Sequence, residues 1–152
     1  MELNQRNRPA KKSLMRPLTI LLILCCFWSC AVREPASPGP VSLNGTWIPV
    51  KQELAGMPMP ASAFESYRLI LTDSLYSYGS TQADQGTIRY ANGKMDIYGR
   101  VGPNSGKHFT AIYKHTNGQL TICYNLAGDS YPVKFDSRDH PMFFLAVFKK
   151  NE

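Results

Sequence analysis

Cysteine is nearly absent from most of this chain. Three of its four cysteines, Cys25, Cys26 and Cys30, crowd into "RPLTILLILCCFWSC" near the start, and only Cys123 lies beyond it. No disulfide framework is possible for that remainder, and the clustered three lack a second ligand pair at the spacing of a zinc site. Positive charge is also scarcer than the net +6 suggests. Ahead of Cys30 five basic residues face one acid, whereas from Cys30 onward 12 lysines and arginines stand against 10 acids, a net of +2. Those 12 are scattered, with no stripe interleaved with stacking aromatics, which excludes the footprint of a nucleic-acid binder. Long apolar runs are missing as well. Leu18 to Trp28 is 11 residues, and as a helix it would reach roughly 17 Å against about 30 Å of bilayer hydrocarbon. No G-x-S-x-G, H-E-x-x-H or phosphate-cradling glycine loop occurs, so no motif points to an enzyme, a metal or a cofactor.

What the leader does have is the three-part layout of a secretory signal: a basic, acid-poor segment, a short apolar run and small residues after it. Ser29-Cys30 resembles the cleavage end of a bacterial lipoprotein signal. That resemblance implies acylation of Cys30 and attachment to a membrane of the bacterial cell envelope, at the outer membrane or on the periplasmic side. An ordinary cleaved signal and an uncleaved anchor are the alternatives. Residues 1–29 are accordingly expected to be the signal, and 30–42 the lipidated cysteine with its tether. In "AVREPASPGPVS" Pro35, Pro38 and Pro40 with Gly39 favour an extended spacer over helix or central strand.

From Leu43 the text changes to short β-type runs punctuated by turns: "TWIPVKQEL", "YRLILT", "LYSYGS", "GTIRY", "KMDIYG", "KHFTAIYKH", "QLTICYN", "YPVKF" and "MFFLAVFK". Asn92-Gly93 and Asn117-Gly118 supply the positive φ values of type I′ hairpin turns. Hairpin after hairpin without βαβ spacing predicts an all-β domain over 43–152, a small antiparallel up-and-down barrel of about eight strands. One short helix is expected at "SAFES", where Ser62 and Glu65 have capping-box spacing. In the first strand Trp47 is out of phase with Ile48, Val50 and Leu54, which calls for a bulge near Pro49. The last strand is apolar on both faces, so it is expected to be buried on both sides or packed under the short helix.

Gly45-Thr46-Trp47 resembles the G-x-W opening of lipocalin-type barrels. With "GTIRY", "GKHFTAIYKHTNGQLTICYN" and "YPVKF" following in order, the stretch from Leu43 to Lys150 resembles an uncharacterised family of bacterial lipocalin-like domains. The resemblance implies a barrel of about eight strands with a closed end at Gly45 and Trp47. A basic residue of the last strand would cover the tryptophan there; Lys149 and Lys150 are available, and Lys149 is the candidate.

Histidines and carboxylates add little. His108 and His115 are an odd number of residues apart and would face opposite sides of one strand, and His140 sits in a polar loop. Cys123, inside an apolar strand, is expected to be a buried structural thiol. Asp73, Asp84, Asp129, Asp136 and Asp139 all lie in turn-like text and are expected to be solubilising, although two could meet at a barrel rim. Aromatic residues are the feature left to explain. Tyr76, Tyr78, Tyr90, Tyr98, Tyr113 and Tyr124 fall within predicted strands, where they either fill the core or line a cavity with an apolar body and an orienting hydroxyl. The leading expectation is a lipid-anchored barrel that binds a small apolar or amphipathic ligand. The alternative is a filled barrel acting as a structural or protein-interaction module.

Overall fold

The computed structural model describes residues 42–152. The expected signal, Cys30 and the tether up to residue 41 lie outside the described residues. Nine strands follow in chain order: β1 (Gly45–Leu54), β2 (Met57–Pro58), β3 (Arg68–Thr72), β4 (Leu75–Gly79), β5 (Asp84–Ala91), β6 (Lys94–Val101), β7 (His108–Thr116), β8 (Gln119–Asn125) and β9 (Phe143–Lys150). Every pairing is antiparallel. From β3 to β9 each strand pairs with its sequence neighbours, and β1 pairs with both β3 and β9, which closes an eight-stranded up-and-down barrel with β2 as an added hairpin strand. Closure removes the open sheet edges that a meander of this length would otherwise expose.

Alternation sorts the side chains. Leu69 and Leu71 of β3, Ile88 of β5, Met95 and Ile97 of β6, Leu120 and Ile122 of β8, and Ala146 and Phe148 of β9 form the buried core. The expected bulge is present between Pro49 and Lys51, opposite Phe148 and Val147. Trp47 and Pro49 are buried before it and Gln52 after it, while Val50 is exposed. One extra residue thus changes which parity faces the interior. Asn92-Gly93 and Asn117-Gly118 close their hairpins with positive φ at both residues.

Two expected elements differ. At "SAFES" a 3-10 turn, Ala61–Ala63, replaces the helix: its N-cap is Pro60, with no side-chain cap bond, and the turn ends at Phe64. "YPVKF" is not a strand. Pro132 has no N–H to donate to a ladder, and Val133 is 95% exposed. That segment belongs to a strap, residues 127–142, crossing the outer face of the barrel. Ser130 O accepts from Thr110 Oγ1 (2.6 Å), Tyr131 OH donates to Asp96 (2.6 Å), and Gly56 N donates to Ser137 Oγ (3.1 Å). The strap accepts the Cys123 thiol at Asp136 O, 3.7 Å away. It is this strap, in place of the expected helix, that lies against the outer side of β8 beside β9. Cys123 and Leu145 are buried there.

Candidate functional site

The two ends of the barrel are built differently. At the end where β1 begins, Leu43 and Trp47 are fully buried, and Trp47 Nε1 donates to Leu43 O (2.9 Å). Leu43 N in turn donates to Tyr90 OH (3.2 Å). Lys150 Nζ stands 5.7 Å from the Trp47 ring centroid and His115 meets the ring edge at 5.4 Å. A β-carbon at Gly45 would lie 3.1 Å from Lys150 Cε, so the glycine leaves room for the lysine stem. Lys150, and not Lys149, is therefore the lysine over the tryptophan. In the register of β1 and β9, Lys150 lies opposite Trp47 and shares its face, whereas Lys149 lies opposite Ile48, one residue out of phase.

Toward the other end the interior holds a cavity of about 130 Å³. Its apolar wall comprises Leu69, Ile88, Ile97, Phe109, Ile122 and Phe148, with Leu126 and Phe144 beside them. Of the six tyrosines anticipated as lining, Tyr76, Tyr78 and Tyr124 are on the cavity wall. Tyr90 and Tyr113 instead meet edge to face at 5.8 Å and pack on the core toward the Trp47 end. Tyr98 is on the outer surface, stacked on His108 at 4.5 Å. The pleat accounts for this: Met95 and Ile97 point inward, so Asp96 and Tyr98 point out.

Asp84 is the residue that the sequence conceals. It reads as turn text in "QADQG", yet it is the first residue of β5, 8% exposed, with its carboxylate on the cavity wall. Three neutral donors reach it: Tyr76 OH (2.8 Å), Asn104 N (3.1 Å) and Asn104 Nδ2 (3.1 Å). Among the described residues it forms no ion pair. Asn104 arrives from the loop between β6 and β7, which folds back through Gly106 N to Gly99 O (3.0 Å) and Lys107 N to Asn104 O (3.0 Å). Buried Gln52, brought inward by the bulge, donates through Nε2 to Tyr78 OH. Tyr78 is held further by edge contacts with Tyr67 (5.4 Å) and Phe148 (6.3 Å).

Burial pushes the Tyr76 phenol well above its usual value, and its bond to Asp84 pushes the same way. Burial likewise raises Tyr78, against the opposing bond from Gln52, and raises Tyr124 with added effects of Tyr78 and Tyr76. These three phenols therefore stay neutral at physiological pH, and Tyr124 makes no hydrogen bond to another side chain among the described residues. An open depression lined by Tyr67, Gly79, Gln82 and Pro103 shares Tyr78, Asp84 and Asn104 with the cavity. Asp84 thus lines both the apolar chamber and the polar depression.

The remaining candidates are separate from this site. His108 Nε2 is 3.0 Å from Asp96 Oδ1 on the outer face, His115 is against Trp47, and His140 stacks on Phe143 at 4.3 Å. Among the described residues no three histidines, cysteines or carboxylates converge as a metal site would require. Cys123 is buried, and that burial raises its thiol. Asp136 is bound by Arg138 and Lys134, and Asp129 by Asn125 and Ser130. No family model, curated protein or solved structure matches the chain.

Proposed function

We propose that this protein is an exported, lipid-anchored binding protein of the bacterial envelope, whose lipocalin-like barrel holds one small apolar or amphipathic molecule. The observation that carries this reading is the cavity: apolar walls with three neutral phenols and one carboxylate at the end opposite Trp47. A few polar groups fixed within an apolar chamber give a ligand orientation as well as burial. Its volume sets the ligand size. At about 130 Å³ it approaches the roughly 150 Å³ cavity that accommodates benzene, and it is far below the roughly 300–1,000 Å³ of sites for drug-sized molecules. A single ring or a short branched chain fits; a long acyl chain does not.

A guest of about eight heavy atoms, at roughly 0.6 kcal/mol per atom, gives about 5 kcal/mol, or a dissociation constant near 0.2 mM. Titration followed by methyl resonances of Ile88, Ile97 and Ile122 tests this. Saturable shifts confined to the cavity are expected from ring-sized probes and not from long fatty acids. No shift with any ring-sized probe would sink the reading. The address rests on Ser29-Cys30: the mature wild type is expected to carry a lipid-sized mass on Cys30 and to partition with detergent, and Cys30→Ala to do neither.

The same small volume favours a second reading, a filled barrel working through its surface. Leu54 and Met57 face one another across the Ala55-Gly56 turn, where Ala55 N donates to the carbonyl of Phe143 (3.0 Å), the residue after Met142, and Leu54, Met57 and Met142 are all exposed. An apolar rim of this kind suits a protein contact.

A further inference from the structure

We infer that the cavity selects a small organic cation, a compound with an apolar group no larger than one ring and a protonated amine. This rests on the binding reading above and deepens it. Asp84 is the only acid or base among the residues lining the cavity and the open depression, apart from the tyrosine phenols. A carboxylate offers about four lone-pair positions. Asn104 and Tyr76 supply three neutral donors, two of them to Oδ2 and one to Oδ1. That leaves acceptor capacity on Oδ1 and a negative charge with no protein cation against it.

The location suits an ammonium in particular. Because Asp84 and Tyr78 are common to the chamber and the open depression, a ligand's apolar group can enter the chamber while its charged end stays at the neck, next to water. Full desolvation of the cation is avoided, and the pair still forms where the dielectric is reduced. The tyrosine rings beside Asp84 add faces for cation-π contact. A ligand carboxylate in the same position would meet Asp84 as a like charge, with no lysine, arginine or histidine on the lining to offset it.

The test is a titration of the purified full-length protein at neutral pH with three probes of nearly equal shape, benzylamine, benzyl alcohol and benzoate, read by the cavity methyl resonances. Benzylamine is expected to bind tighter than benzyl alcohol by on the order of tenfold or more, the effect of one charge-assisted hydrogen bond, with benzoate weakest. In Asp84→Asn the preference for amine over alcohol is expected to vanish while benzyl alcohol still binds. Equal binding of amine and alcohol by the wild type, or tighter binding of benzoate, overturns the inference and leaves the binding reading standing. So does an undiminished amine preference in a folded Asp84→Asn variant. Failure of all three probes removes both. Should Asp84→Asn not fold, the wild-type ranking alone decides.

Discussion

Gly99 and Gly86 shape the Asp84 site by leaving space. A β-carbon on Gly99 would lie 1.8 Å from Asn104 O, and one on Gly86 would lie 2.0 Å from Tyr98 O and 2.8 Å from Tyr76 Cε1. The first glycine lets the loop fold back until Asn104 reaches Asp84; the second lets the Tyr76 ring lie against β5 with its hydroxyl at the same carboxylate. Gly99→Ala is therefore expected to cost about 1–3 kcal/mol in denaturant unfolding, the range for a forced backbone shift, and to displace the Asn104 amide resonance. An unchanged midpoint and spectrum would mean that the loop does not depend on this close approach. Asp84 itself could not be found by scanning the text. Its partner Asn104 is 20 residues away, and the bond between them depends on the close approach that Gly99 permits. Tyr98 was expected to fill the core or line the cavity and is instead on the surface; the parity it shares with Asp96 in "KMDIYG" is the signal that assigns it there.

At the level of elements, what was legible is what is local. Asn92-Gly93 and Asn117-Gly118 specify their hairpins through the backbone of two residues each, and the bulge at Pro49 was visible as a clash between hydrophobic phase and proline chemistry. The strap was not legible, because "YPVKF" has the composition of a strand and its alternative partners are side chains on β6 and β7. Tyr131 bonds Asp96 there, Lys94 Nζ stands 4.8 Å from the Tyr131 ring centroid, and Lys114 Nζ stands 4.9 Å from that of Phe135. The Tyr131 hydroxyl, more than any other group, holds the Asp96 carboxyl below its ordinary 3.8, with His108 adding to it and burial opposing. A carboxylate depressed by folding contributes stability that is present above its ordinary value and lost as pH falls through the folded one. Acidification below 3.8 is thus expected to loosen the strap at Tyr131. At neutral pH Tyr131→Phe is expected to mimic that loosening, with faster amide exchange in residues 130–137 and unchanged exchange in β3 to β8. Equal protection of the strap in variant and parent would show that it is held elsewhere.

Across the whole molecule, the barrel is asymmetric along its axis. One end is sealed by Leu43, Trp47 and Lys150, and the other half keeps a cavity lined by three tyrosines, three phenylalanines, Asp84 and Asn104 among aliphatics. Ring closure between β1 and β9 was anticipated from the hairpin succession, but whether the interior is open or filled depends on how thirteen side chains from different strands and loops meet. The outcome lies between the two expectations: a buried core at the Trp47 end, with a ring-sized chamber toward the other. Ile122, buried on β8 and lining that chamber, is the position where filling can be tested directly. Ile122→Phe adds volume where space exists, so stability is expected to be unchanged or to rise by up to roughly 1 kcal/mol, as cavity-filling substitutions commonly do. Binding of benzylamine and benzyl alcohol is expected to be lost in the same variant, since guest and ring compete for one space. A folded Ile122→Phe protein that still binds both probes with parental affinity would move the site out of the barrel. Attention would then pass to the exposed rim at Leu54, Met57 and Met142, where a protein partner, not a small molecule, is the natural occupant.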